Sequence, residues 1–224
     1  MSITYTNRKG FKYFLNKGVT KTGKPRYYFA REQKGEPVDE VPQGYEIEES
    51  VNGIVSLVKF RPKLIPYEES ACVEDALERH PKARKYRVAV KDKQIIVYEV
   101  LGGGGTENLL DMLNFLGNRD VLRKRMQDFE DRNAQFTPVM RFILEDQETR
   151  EYHAERWCYR GSIDDWIHVG QPGKIKTLAR SLIPTLGTDD FFELLSLFID
   201  KFCFSICKKK SYLKILSWLC ILGR

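Results

Sequence analysis

The chain predicts an α+β fold: antiparallel β-hairpins with covering helices, a basic N-terminal β-ribbon and a helical C-terminal part. Three observations predict it. Short stretches alternate apolar and polar residues with a period of two, separated by turn residues. Other stretches place apolar residues three and four apart, the helical spacing. The first 31 residues carry eight Lys or Arg and no Asp or Glu.

Inside that basic run lie two similar pieces. Gly10-Phe11-Lys12-Tyr13-Phe14-Leu15 and Gly23-Lys24-Pro25-Arg26-Tyr27-Tyr28-Phe29 each set a glycine and a base before aromatics. They predict two strands joined across Asn16 to Pro25, with turn chemistry at Lys21-Thr22-Gly23-Lys24. A basic ribbon with interleaved Tyr and Phe can dock on a phosphate backbone or stack on exposed bases. Lys12, Lys21, Lys24, Arg26, Tyr28 and Arg31 are the expected contacts with DNA or RNA. The same pattern also describes a solvated ribbon whose aromatics pack a core.

Residues 32–50 reverse the sign, with seven acids against one lysine. If this run pairs with the ribbon, it cancels the attraction for phosphate. Val41 to Tyr45 is a turn, and Glu46 to Glu49 around Ile47 reads as a strand edge or loop. Ile54 to Lys59 alternates after the Asn52-Gly53 turn and predicts a third strand. Two prolines keep Arg61 to Pro66 extended. A boundary near Pro66 closes a module over residues 1–66.

Glu68 to His80 predicts a helix, with Cys72, Val73, Ala76 and Leu77 on one face. Pro81 stops it, and His80 faces the negative end of its dipole. Tyr86, Val88 and Val90 alternate, Lys91 to Gln94 turns, and Ile95 to Val100 is the partner strand. Residues 67–101 thus read as a helix–hairpin unit. Gly102 to Gly105 open a glycine hinge over 102–108. No Gly-Lys-Ser/Thr or G-x-G-x-x-G pattern follows, which excludes a phosphate loop.

Leu109 to Gln135 has helical spacing, with Asp120 capping a second segment. Met140, Phe142 and Leu144 alternate with Arg141, Ile143 and Glu145 and predict a strand with one face buried, then Asp146 to Thr149 turns. Arg150 to Tyr159 alternates again, with Tyr152, Ala154, Arg156 and Cys158 on one side. His153, Glu155, Trp157 and Tyr159 fall on the other. This second strand has no wholly apolar face, so it borders solvent or lines a polar cleft. Arg156 and Arg160 flank Trp157 and Tyr159 and suit a base, a phosphate or a core-edge cation–π pair.

Ser162 to Asp165 resembles a capping box and predicts a helix start. Gln171-Pro172-Gly173 predicts a turn. Lys174 to Leu186 predicts a helix ended by Gly187, and Thr188-Asp189-Asp190 starts another with Phe191, Leu194, Leu195, Phe198 and Ile199 inward. Residues 109–200 then form helices around a central hairpin. The 201–224 tail is apolar and cysteine-containing around Lys208 to Lys210. It suits an interfacial helix, a protein partner or a homo-oligomer contact.

At 224 residues the chain holds one large domain or two small ones. A net charge of +6 permits an acidic partner without requiring one. Five cysteines, an odd number, with no Cys-x-x-Cys and a polar, basic start, fit a reducing cytoplasm. No apolar run reaches the length of a membrane span. The functional expectation is a non-enzymatic nucleic-acid-binding protein acting through the ribbon. The alternative is an interaction or scaffold protein acting through the tail. A third reading is a hydrolase using His153 and Glu155, with Asp164 and Asp165 near the same cleft. No nucleophile elbow or zinc signature supports it, so no catalytic residue, metal or cofactor is expected.

Overall fold

The structure, a computed structural model, describes residues 2–102, 124, 125, 128–130, 132–160 and 163–194. Most of the glycine hinge and of the 109–135 stretch, Ser162 of the expected capping box, Leu195 to Ile199, and the tail lie outside the described residues.

The described residues form a mixed fold with more strand than helix. The strands are β1 (Thr4–Thr6), β2 (Lys12–Val19), β3 (Pro25–Ala30), β4 (Glu36–Pro37), β5 (Tyr45–Glu49), β6 (Val55–Lys59), β7 (Tyr86–Lys91), β8 (Gln94–Val100), β9 (Phe136–Asp146), β10 (Glu151–Arg160) and β11 (Ile163–Gly173). The α-helices are α1 (Tyr67–Glu78), α2 (Ile175–Leu182) and α3 (Asp189–Glu193), with 3-10 turns at Ala83–Lys85 and Ile183–Thr185. Among the described residues, no helix is long and apolar enough to cross a membrane.

The largest sheet is an antiparallel meander, β7-β8-β9-β10-β11 in spatial order. It joins strands from both sides of the glycine run. One face carries Ile95, Val97, Met140, Phe142, Leu144, Tyr152, Ala154 and Val169, all at most 2% exposed. Against it pack Val73 and Leu77 of α1, Leu178, Ala179 and Leu182 of α2, then Ile183, Leu186 and Phe191. The period-two and period-3.6 patterns each bury the face that the sequence implies.

Two sequence expectations fail here, and both concern β11. Ile163 to Asp165 begin a strand, not a capped helix. Trp166, Ile167 and Val169 are aromatic or β-branched and pair along β10, with Trp157 opposite Trp166. A neighbouring sheet edge thus overrides a local capping signal. Gln171-Pro172-Gly173 is likewise no turn. The β10–β11 register jumps between the Tyr152–Gly173 and Ala154–Val169 pairs, so the extra residues of β11 form a bulge. Pro172 sits in that bulge, where no ladder N–H is needed. With β11 on the edge, β10 is an interior strand with a partner on each side.

The N-terminal strands make two smaller sheets, β1-β2-β3 with β4 on β2, and β5-β6. The turn between β2 and β3 is shorter than expected, Thr20 to Lys24, and closes with Thr20 N to Lys24 O at 2.9 Å. The core here is small: Leu15, Val51 and Val55, plus the fully buried Asn16. Asn16 donates to Phe14 O, and its Oδ1 accepts from Gly35 N. Asn7 donates to Gly53 O at 2.6 Å and accepts from Phe11 N at 2.8 Å. Asn52 then fastens β5-β6 to the large sheet. It donates to Phe136 O at 3.1 Å and accepts from Phe136 N at 2.7 Å.

His80 does more than face a helix dipole. It is buried, its Nδ1 accepts from Lys82 N at 3.1 Å, and its Nε2 lies 3.1 Å from Leu186 O. It pins the end of α1 to the end of the second helix. Gly187, just beyond, has φ +66°, and an added Cβ would lie 2.8 Å from the Tyr86 hydroxyl. Gly187→Ala is expected to destabilise the protein by about 1–2 kcal/mol, from the left-handed backbone alone before any clash. Urea unfolding of the two proteins side by side measures this.

Candidate functional site

Two places carry chemistry: the β2–β3 hairpin and the outer face of the large sheet.

In the hairpin, Arg26 pairs with Gly18 and Tyr28 with Asn16. Strand alternation puts Lys12, Arg26 and Tyr28 on one face. Lys21 and Lys24 stand in the tip. All five cations, Lys12, Lys21, Lys24, Arg26 and Arg31, are exposed. Arg31 stacks on Phe11 with its guanidinium 4.0 Å from the ring centre, and Lys12 lies over Phe14 at 5.4 Å. Tyr28 is half-buried. Its ring lies over Gly18, where a Cβ would come within 3.3 Å, and its hydroxyl comes close to Gly35.

Among the described residues, Glu32, Glu36 and Glu49 of the 32–50 run make ion pairs, two of them with cations of the basic N-terminal run and one with Lys34 inside the acidic run itself. Glu36 pairs with Lys17 at 3.2 Å, Glu32 with Lys34 at 3.0 Å and Glu49 with Arg8 at 2.9 Å. Glu49 also accepts from Arg8 N and from Tyr5 Oη. Burial raises its pKa, but these donors outweigh it and hold the carboxyl below its ordinary range. Among the described residues, none of the five cations makes an ion pair. At the foot of the hairpin a hollow of about 170 Å³ is lined by Arg8, Lys9, Arg87 and Arg132 with Val51 and Phe136.

The outer face of the large sheet is polar where the inner face is core. Alternation along β10 turns His153, Glu155 and Trp157 outward. The register sets Arg141 of β9 and His168 of β11 on either side of Glu155. Arg141 donates through Nε to Glu155 Oε2 at 2.5 Å, its Nη2 lies within ion-pair distance of the same oxygen at 2.5 Å, and its guanidinium lies 4.3 Å from the Trp166 ring. Trp166 meets Trp157 edge-on at 5.1 Å. The other oxygen, Glu155 Oε1, lies 3.4 Å from His153 Nε2 and 3.5 Å from His168 Nε2. The two imidazole rings are 4.8 Å apart.

Glu145 completes the group. The β9–β10 register shifts between Glu151 and Tyr152, which leaves Glu145 as the extra residue of a bulge. Its Oε1 comes 2.8 Å from His153 Nδ1, close enough for an ion pair but out of line for a hydrogen bond. His153 thus meets two carboxylates, the condition that an acid/base reading requires. They are Glu145 and Glu155. Asp164 and Asp165 stand opposite Tyr159 and Cys158, further along β11. His153, Glu155 and His168 present ligand-type atoms within 4.8 Å of one another.

Arg156 is not part of this face. It turns inward, lies over Phe191 at 5.6 Å and donates to Phe192 O at 2.9 Å. The core-edge cation–π reading holds for it, with Phe191 as the ring in place of Trp157. His168, Arg141, Glu145 and Trp166 were missed by sequence reasoning. His168 was hidden because its stretch read as helix and turn. Once β11 is a strand, Trp166 and His168 alternate onto the face of Glu155.

A larger groove, about 360 Å³, lies between α1 and α2 on the core side of the sheet. Its rim holds Asp75, Arg79, Lys176 and Arg180, but its one histidine is His80, already committed to Leu186 and Lys82. The smaller, more polar face around Glu155 is therefore the better chemical candidate. Comparison with known protein families, curated proteins and solved structures gave no match, so these two places are read from their own residues.

Proposed function

We propose that the chain is a nucleic-acid-binding protein whose principal contact is the β2–β3 hairpin. One observation carries this reading: among the described residues, Glu49, Glu36 and Glu32 pair with Arg8, Lys17 and Lys34, while Lys12, Lys21, Lys24, Arg26 and Arg31 make no ion pair. These cations run from the foot of the hairpin to its tip. Eight residues of β2 span roughly 25 Å at about 3.3 Å per residue, the reach of several phosphates. Phosphate binding therefore needs no native ion pair to break. Tyr28, half-covered by Gly18 and Gly35, serves to brace the ribbon, and the cations supply the attraction.

The test is binding of the purified, nuclease-treated protein to fluorescent single- and double-stranded DNA and RNA across a salt series. Five phosphate contacts would give a log–log slope of about −3.5 to −4.5. Charge reversal at Lys24→Glu with Arg26→Glu is expected to weaken binding by roughly 10- to 100-fold and to flatten the slope by about 2 or more. Both residues are exposed and hold no other element in place, so folding should be unaffected. Unchanged affinity and slope would remove the hairpin as the contact.

A further inference from the structure

We propose that His153, Glu155 and His168 form a binding site for a divalent transition-metal ion of the zinc class. This inference is independent of the nucleic-acid reading and rests on four features of the outer sheet face.

The first is donor type. Two neutral imidazoles and a carboxylate are a common three-ligand set for zinc, and they leave a coordination position open. The second is spacing. Ligand atoms about 2.0–2.2 Å from a tetrahedral ion lie roughly 3.3–3.5 Å from each other. Glu155 Oε1 already stands 3.4 and 3.5 Å from the two Nε2 atoms. Only the imidazole–imidazole separation has to close, and His168, 72% exposed, is free to swing.

The third is the outer support. Metal-binding histidines present one nitrogen to the ion and keep the other against a carboxylate. In His153, Nε2 faces the site and Nδ1 lies 2.8 Å from Glu145 Oε1, near that carboxylate but not in line for the hydrogen bond until the ring turns. Arg141 grips only Oε2 of Glu155, so it orients the carboxylate and leaves Oε1 for the ion. The fourth is rigidity. The ligands sit on paired strands, His153 and Glu155 two apart on β10 and His168 directly across from Glu155. Glu155 is 7% exposed, and its direction is set before any ion arrives. Such preorganisation separates a site from a chance cluster of surface charges.

A salt-bridge ladder, Arg141–Glu155–His168, is the competing account, since Arg141 already offsets the Glu155 charge. The two accounts differ in one measurable respect: the ladder takes up no metal. The full chain, stripped by chelator and desalted, would be titrated with Zn²⁺ by calorimetry and with Co²⁺ by visible absorption. One equivalent should bind with a Kd in the micromolar range or below, and Co²⁺ should show the visible bands of a low-coordinate site with nitrogen ligands. His168→Ala, at an exposed position that cannot unfold the sheet, should weaken binding by more than about 100-fold. Glu145→Gln should weaken it by roughly 10- to 100-fold, as loss of an outer partner does. A variant with Cys203, Cys207 and Cys220 all changed to Ser should bind as the parent does. Absence of binding by the parent chain would overturn the proposal. Binding that survives His168→Ala, or that vanishes with the cysteine changes, would overturn it equally.

Discussion

Phe142→Ala is expected to lower the unfolding free energy by about 3–5 kcal/mol, a large share of the 5–15 kcal/mol that holds a typical domain together. Phe142 lies in the central strand of the five-stranded sheet and is 0% exposed. Its pairs are Ile95 on β8 and Ala154 on β10, so it sits where α1, α2 and the sheet share one core. Removing the ring loses its transfer free energy and leaves a cavity that interior strands cannot collapse to fill. Chemical denaturation followed by far-ultraviolet circular dichroism measures the loss. Phe142 is on the inner face, and Glu155 and His168 are on the outer one. Where the variant remains folded, metal uptake should therefore persist. A loss below about 1 kcal/mol would mean that the large sheet does not carry the stability of the chain.

The core was legible in the sequence because its pattern is redundant. Met140, Phe142 and Leu144 alternate, and that run buries the side the alternation names, whereas the burial of Tyr152 and Ala154 was not readable from a strand with no wholly apolar face. Cys72, Val73, Ala76 and Leu77 were likewise readable, since a wide apolar stripe ended by Pro81 admits few alternatives. What failed was β11. Ser-Ile-Asp-Asp satisfies the rules for a helix start, and Gln-Pro-Gly satisfies the rules for a turn. Both are local rules, and the edge of β10 offered more. A strand laid along β10 pairs its ladder and sets Trp166 edge-on against Trp157.

The candidate site was half-legible for the same reason. His153 and Glu155 share a strand face by alternation alone. His168 joins them only through register, which no local pattern specifies. Glu145 joins through a bulge, where one extra residue re-aims a side chain that alternation cannot predict. The hairpin cations, in contrast, were readable as charge. Their freedom from the acidic run was not, because it depends on Glu49 folding back onto Arg8 and Tyr5, more than forty residues away in sequence.

Arg150→Ala is expected to cost about 2–3 kcal/mol at neutral pH, and the cost should shrink as pH falls. Arg150 ends the turn between β9 and β10 and reaches across to Glu69 in the first turn of α1. It donates to both Glu69 oxygens, through Nε at 2.9 Å and through Nη2, and also to Leu64 O at 3.3 Å. The Tyr152 hydroxyl donates to the same carboxylate. Losing one partner of a fully buried pair costs roughly 3–5 kcal/mol. Here Arg150 keeps 29% exposure and Glu69 17%, so water screens part of that loss. The backbone at Arg150 is left-handed, φ +51°, and alanine adopts it at a similar cost, so the measurement reads the side chain. Burial raises the pKa of Glu69, but the hydrogen bonds from Arg150 and Tyr152 outweigh it and hold the carboxyl below its ordinary range. A depressed folded pKa stabilises the protein above the unfolded value, about 4.3, and that contribution is lost as pH drops through the folded value. Stability curves of parent and variant should therefore be separated at pH 7 and converge below about pH 4. Curves that stay parallel well below that pH, where both states take up the proton, would mean that the charge on Glu69 does not hold α1 to the β9–β10 turn.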